Sequence, residues 1–179
     1  MKAGVRALGV AESYRERTST LAGAIVRASR VVDGFGFETC TVGGTDATGA
    51  VVSLFHHLDR PDIRYLLVAG IAPAWFNILD LRRLRETLDR PVYAVSYEPS
   101  PGLEPALREA FDGDALVRRL GAYRSLPPRV RVERDGPDAG GADDAEDGGA
   151  DPLFVRAVGI DDGRAAAAVR DSVRDGFRR

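Results

Sequence analysis

The sequence predicts an α/β protein built on a mixed five-stranded sheet, strand order 3-2-1-4-5, with helices on both faces. Three observations predict it. Between residues 5 and 42, apolar runs follow one another across short polar links, as consecutive antiparallel strands do. From Ala47 the apolar spacing becomes helical, with Val51, Leu54, Phe55 and Leu58 on one face. Tyr65-Leu-Leu-Val68 is then a near-continuous apolar run, which suits a strand covered on both faces.

The first strand is expected over 5–10, ending at Ala11 and Glu12, and polar residues 13–19 read as a turn. A second strand follows at 21–27 and a third at 31–42, where Gly34 and Gly36 mark bulges or close packing. Gly43-Gly44-Thr45-Asp46 feeds a helix over 47–58. The apolar run 65–68 is the fourth strand, 78–88 a second helix with Leu81, Leu84 and Leu88 inward, and 91–97 the fifth strand. Two short helices are expected near 103–111 and 114–123, a strand over 152–158, and a last helix from Asp161 or Asp162 through 173. Three meandering strands followed by two crossover strands give the connectivity of the ribonuclease H-like fold. Right-handed crossovers set the fourth strand beside the first, so the ends of those two strands meet at the sheet's centre.

A chain of 179 residues suits one domain over 1–179 with a proper core. Residues 133–151 are acidic, glycine-rich and free of aromatics, so they bury too little to offset their ordering entropy and read as a disordered insertion. No apolar run approaches the roughly 20 residues that span a bilayer, and no signal-peptide core opens the chain. A cytoplasmic protein without a membrane partner is therefore expected. The net charge of −2 gives no global basic field to draw in nucleic acid. Lys2 is the only lysine and Asp outnumbers Glu, a surface that suits salt-rich cytoplasm, although a GC-rich genome biases composition similarly. At 1 M salt the Debye length falls to about 3 Å, so exposed charges would be strongly screened. Cys40 is the single cysteine, which excludes an intramolecular disulfide and argues against a cysteine metal site.

Several stretches resemble a known family. Leu8-Gly-Val-Ala-Glu-Ser13, Thr41-Val-Gly-Gly-Thr-Asp-Ala-Thr48, Ala69-Gly-Ile, Trp75-Phe-Asn-Ile-Leu-Asp80 and Pro91-Val-Tyr-Ala-Val95 are similar to an uncharacterised archaeal family related to endonuclease V. The resemblance covers nearly the whole chain outside the acidic insertion. It implies a fold that cuts DNA or RNA near deaminated bases, using acids gathered around Mg²⁺. The pattern departs at the acids themselves. The first-strand position holds Ala11, with Glu12 one place on, and neighbouring strand residues face opposite ways. The fourth-strand acid is replaced by Ala69, ahead of Gly70, and the Gly-His pair near the last strand is Gly159-Ile160. Asp46 matches the acid contributed after the third strand.

The candidate catalytic and metal-binding residues are therefore Glu12 and Asp46, with Mg²⁺ as cofactor only if activity is retained. The candidate binding residues are Gly70, Trp75, Phe76 and Asn77. Each has a plain structural alternative. Asp46 is placed to cap the first helix, and Glu12 to sit solvated in a turn. Trp75 could stack on a base or plug the core's end; Asn77 could cap the second helix or bond a base edge. Asp80 suits that helix's positive end. His56 and His57 are adjacent on a helix and cannot make the i, i+4 pair a metal prefers. Arg82, Arg83 and Arg85 form one small basic face, and Arg118, Arg119 and Arg124 another. Gly43-Gly44 ahead of a helix is a weak anion-site signal.

Three functions fit these residues. The first is a nucleic-acid-binding protein with a degenerate metal site and weak or no nuclease activity. The second is an active Mg²⁺-dependent endonuclease using Glu12 and Asp46. The third is a non-enzymatic module that takes a small ligand or protein beside Trp75. Oligomeric state has no signature in the sequence.

Overall fold

A computed structural model describes residues 5–132 and 152–160. Its elements are β1 (Arg6–Arg15), β2 (Thr18–Arg27), β3 (Val32–Thr41), α1 (Ala47–His57), β4 (Ile63–Ala69), α2 (Pro73–Phe76), α3 (Leu81–Leu88), β5 (Val92–Ser96), α4 (Glu104–Ala110), α5 (Gly113–Arg124), β6 (Val130–Val132) and β7 (Leu153–Val158). They form a seven-stranded sheet in the order β3-β2-β1-β4-β5-β7-β6. The expected order of the first five strands is present, with β4 parallel to both β1 and β5. The sheet is wider than expected, because β7 adds antiparallel to β5 and β6 pairs outside it. β6 is only three residues long, too short to show an alternating pattern in sequence. The acidic insertion at 133–151 and the helix expected at 161–173 lie outside the described residues.

Two boundaries differ from expectation in ways that move functional residues. Segment 13–19 is not a turn: β1 and β2 run on as one hairpin, pairing Ser13 with Thr20, Tyr14 with Ser19 and Arg15 with Thr18. The reversal falls at Glu16 and Arg17, with Glu16 at φ 51°. Tyr and Thr are strand formers, but the hairpin projects past most of the core, so its sequence lacks an apolar rhythm. Glu12 therefore sits inside a strand. The second long helix, α3, begins at Leu81, because the Asp80 carboxylate accepts from the Arg83 N–H at 2.9 Å and caps it there.

The main core lies between the sheet and the helices α1 and α3. Leu8, Val10, Leu21 and Ile25 from the sheet meet Val51, Leu54, Leu81 and Leu84, all buried. Gly36 lets the leucines of α1 pack closely on β3. A Cβ there would stand 2.7 Å from Leu58 Cδ2 and 3.0 Å from Leu54 Cδ1. At the far end of β3, Asp33 is an extra residue opposite the Ile25/Val26 step, a bulge that carries its carboxylate to Arg6 and Arg27.

Candidate functional site

Strand parity decides which side chains can meet. Leu8 and Val10 on β1 point into the core under α1, so Glu12 points the same way, and Gly9 and Ala11 point to the opposite face. Val10 pairs with Val68 in the parallel register, which brings Ala11 and Ala69 side by side at the sheet's centre. Both alanines line a groove of about 380 Å³ on that opposite face, with Ala22, Ala24, Phe35 and Tyr97 around it. Phe35 and Phe37 are each 66% exposed there. No helix covers this part of the sheet among the described residues. The two alanine side chains thus take the face opposite Glu12, because β1 does not end before that residue as the sequence had suggested.

On the helix side, Glu12 is half-buried and accepts a 2.5 Å hydrogen bond from Ser19 Oγ, which is wholly buried. Ser19 pairs with Cys40 on β3. Burial pushes the Cys40 thiol up, and the nearby Asp46 and Glu12 carboxylates push it further. These four residues form one polar patch at the end of the core.

Asp46 stands at the start of α1, but its side chain makes no capping bond to that helix. It closes the turn behind it instead. Its carboxylate accepts from the Thr41 N–H at 3.1 Å, from Thr41 Oγ1 at 2.8 Å and from Asn77 Nδ2 at 2.7 Å. Burial works to raise its pKa, yet the bonds from Asn77 and Thr41 prevail and hold it below the usual carboxylate range.

Asn77 does the capping. Its Oδ1 accepts from the Ala47 N–H at 3.0 Å, and its Nδ2 donates to the Thr41 carbonyl at 2.9 Å as well as to Asp46. The residue is fully buried, so it neither caps α3 nor presents an edge to a base. Sequence reasoning offered no signal for this role, since its partners lie more than two dozen residues away.

Trp75 belongs to an unusual turn. Ala74, Trp75 and Phe76 all have positive φ, at 51°, 55° and 62°, though none is glycine. Each costs about 1 kcal/mol or more in this region. The turn is held by the Gly43 N–H donating to the Ala74 carbonyl at 2.7 Å, and by the indole lying against Gly43, where a Cβ would come within 2.8 Å of it. Trp75 remains half-exposed and packs against Phe76 and Phe111, ring centroids 5.7 and 5.0 Å away. Behind this cluster Arg119 is buried, stacked on Phe111 at 3.9 Å and donating to the Gly43 and Gly44 carbonyls. The Gly43-Gly44 turn thus offers acceptors to a cation.

The two expected basic faces are partly dispersed. Arg119 is buried, Arg124 is bidentate to Glu104 at 2.8 Å, and Arg85 pairs with Asp89. His57 Nδ1 lies 3.2 Å from Glu38, and His56 is exposed on another side of the helix.

The residues present do not fit a preformed divalent-cation cradle. No group of three His, Cys, Asp or Glu residues converges among the described residues. The void beside Glu12 is about 10 Å³, one water at most, whereas bound Mg²⁺ keeps several waters. Asp46 already spends both oxygens on protein donors.

A mixed sheet in which β4 lies parallel to β1 at the centre and to β5 beyond it has the architecture of the ribonuclease H-like fold. The endonuclease dU family model matches residues 3–178, and the chain belongs to that family. Two relatives are UPF0215 proteins of archaea. One, from Pyrobaculum calidifontis, is 32% identical over 121 residues, 64% of this chain and 66% of its own. The other, from Thermococcus kodakarensis, is 29% identical over 91% of this chain and 75% of its own. The chain thus spans about two thirds to three quarters of these two relatives. Among solved structures, a protein of unknown function from Archaeoglobus fulgidus superposes with a TM-score of 0.74 at 20% identity, over 96% of this chain and 88% of that one. Endonuclease V of Bacillus subtilis gives 0.58 at 12%, over 97% and 74%. Endonuclease V of Ciona intestinalis, bound to a 23mer DNA containing inosine, gives 0.53 at 10%, over 93% and 76%. At these identities the likeness is one of fold. No helix among the described residues is long and apolar enough to cross a membrane.

Proposed function

We propose that this chain is a cytoplasmic nucleic-acid-binding protein, one domain whose metal site is degenerate and whose nuclease activity is weak or lost. One observation carries the reading. Ala11 and Ala69 stand side by side where the endonuclease V resemblance puts two acids, and Glu12 and Asp46 face the other side of the sheet, already hydrogen-bonded. The half-exposed Trp75 supplies a face on which a base can stack. The family's name and the DNA-bound neighbour support nucleic acid as partner. The low-lysine, acidic surface supports a salt-rich cytoplasm.

The test is direct. Full-length protein, with Mg²⁺ or Mn²⁺ and across a range of salt, is offered DNA and RNA containing deoxyuridine or inosine. Binding without cleavage is the expected result. Absence of binding to every substrate removes the reading. Cleavage that Asp46→Ala abolishes establishes the second function, in which Glu12 and Asp46 hold one Mg²⁺.

A further inference from the structure

Beyond the C-terminal ends of β4 and β5 lies a separate cleft of about 450 Å³, within the range of small-ligand sites. Gly70, Ser96, Leu103 and Tyr123 are among the residues that line it. Two arginines enter it from different elements. Arg129 precedes β6 and lies with its guanidinium carbon 3.9 Å from the Phe154 ring centroid. Arg156 projects from β7, 5.7 Å from the Tyr123 centroid.

Among the described residues, neither arginine meets a carboxylate. Arg129 donates to Ser96 Oγ at 3.1 Å and to the carbonyls of Ser100 and Glu98, at 3.3 and 2.5 Å. Glu98 lines the cleft but contributes its carbonyl to that contact. Arg156 donates through Nη1 to the Pro127 carbonyl, which leaves its Nε and Nη2 without a protein acceptor among the described residues. Burial and the neighbouring Arg156 charge both push the Arg129 pKa down. Two half-buried cations whose charges repel each other favour an anion that shares the space. A planar guanidinium fork matches phosphate oxygens in pairs.

We infer that this cleft binds a phosphate group, free or carried by a nucleotide, between the guanidinium groups of Arg129 and Arg156. The inference stands on these arginines alone, and holds whether or not Glu12 and Asp46 bind a metal. Sequence reasoning missed both residues. Arg156 is a lone charge in an apolar strand, which was the available signal.

The test follows the arginine Nε–Hε resonances of the full-length protein by NMR, at fixed low ionic strength set with chloride. Inorganic phosphate, a nucleoside 5′-monophosphate and a short single-stranded DNA are titrated in turn. A saturable shift at Arg129 and Arg156 is expected, with affinity falling at least about tenfold in Arg156→Gln. Equal affinity for phosphate and monophosphate identifies a free anion as ligand. Tighter monophosphate identifies a nucleotide, and tightest strand binding a polynucleotide backbone; all three support the site. Should Arg156→Gln fail to fold, the shifts in the unaltered protein decide. No saturable shift at either arginine with any probe overturns the inference, as does an Arg156→Gln protein that binds every probe unchanged.

Discussion

One buried amide, Asn77, joins three pieces of backbone at the end of the core. Alanine there would strand the Ala47 N–H and remove one donor from Asp46 and one from the Thr41 carbonyl, which keeps the Gly44 N–H at 3.0 Å. An unsatisfied buried group of this kind costs about 1–3 kcal/mol, so urea denaturation of Asn77→Ala should show a loss of about 1–3 kcal/mol. The Asp46 carboxyl should also move up toward its ordinary range. A loss under about 0.5 kcal/mol, within the scatter of surface substitutions, would mean that the amide is not the clasp. This role was invisible in sequence because capping is read from residues within a turn of the helix, and Asn77 acts across 30 residues. Asp33 is the contrasting case, a charge whose effect depends on pH. Bonding to Arg27, and then to Arg6, outweighs burial and lowers its carboxyl from 3.8 to about 2. A depressed acid stabilises the fold fully above its unfolded pKa, and that contribution is lost as pH falls through the folded value. Stability should therefore fall between about pH 4 and about pH 2. Asp33→Asn should be less stable at neutral pH and show a shallower acid limb in melting temperature against pH. Parallel limbs for the two proteins would refute the assignment.

Helices and strands were legible where one face is dry and the other wet. The α1 stripe of Val51 and Leu54, and the apolar run in β4, announced themselves for that reason. The β1–β2 hairpin tip did not, because much of it is exposed, and the three-residue β6 had no room to show a period. Left-handed turns were hidden for another reason. The usual signal is glycine, yet α2 places Ala74, Trp75 and Phe76 in that region, and α3 ends on Asp89 at φ 51°. The α2 turn keeps a function for its strain, since it sets the indole on Gly43 with half its surface to solvent. Asp89 has no such duty: its side chain is 83% exposed and its pair with Arg85 is a surface one, worth little. Asp89→Gly should therefore relieve the left-handed penalty and raise stability by about 1 kcal/mol. That corresponds to a melting temperature higher by roughly 2–4 °C for a chain of this size. A lower melting temperature would show that the ion pair or the aspartate's own turn matters more than its backbone.

For the molecule as a whole, the sheet decides what the site can be. The order of its first five strands was readable from connectivity, and so was the meeting of positions 11 and 69. Which face each side chain takes was not, since that depends on where β1 ends, and β1 runs on to Arg15. That extension puts Glu12 with Asp46 and leaves the alanines on the far side. The consequence can be measured without any substrate. A ligand that binds only the folded state stabilises it by RT ln(1 + [L]/Kd), about 2.7 kcal/mol at a hundred times Kd. If the cradle is degenerate as proposed, millimolar Mn²⁺ should leave the melting temperature of the full-length protein unchanged relative to matched Ca²⁺-free, Mn²⁺-free chloride. It should likewise leave Asp46→Asn unchanged, because that carboxylate is engaged by Thr41 and Asn77 rather than presented to solvent. A saturable rise of several degrees in the unaltered protein, abolished in Glu12→Gln and in Asp46→Asn alike, would require both acids on one ion. The two carboxylates would then have to exchange their Ser19 and Asn77 donors for metal, and the nuclease reading would displace the binding one.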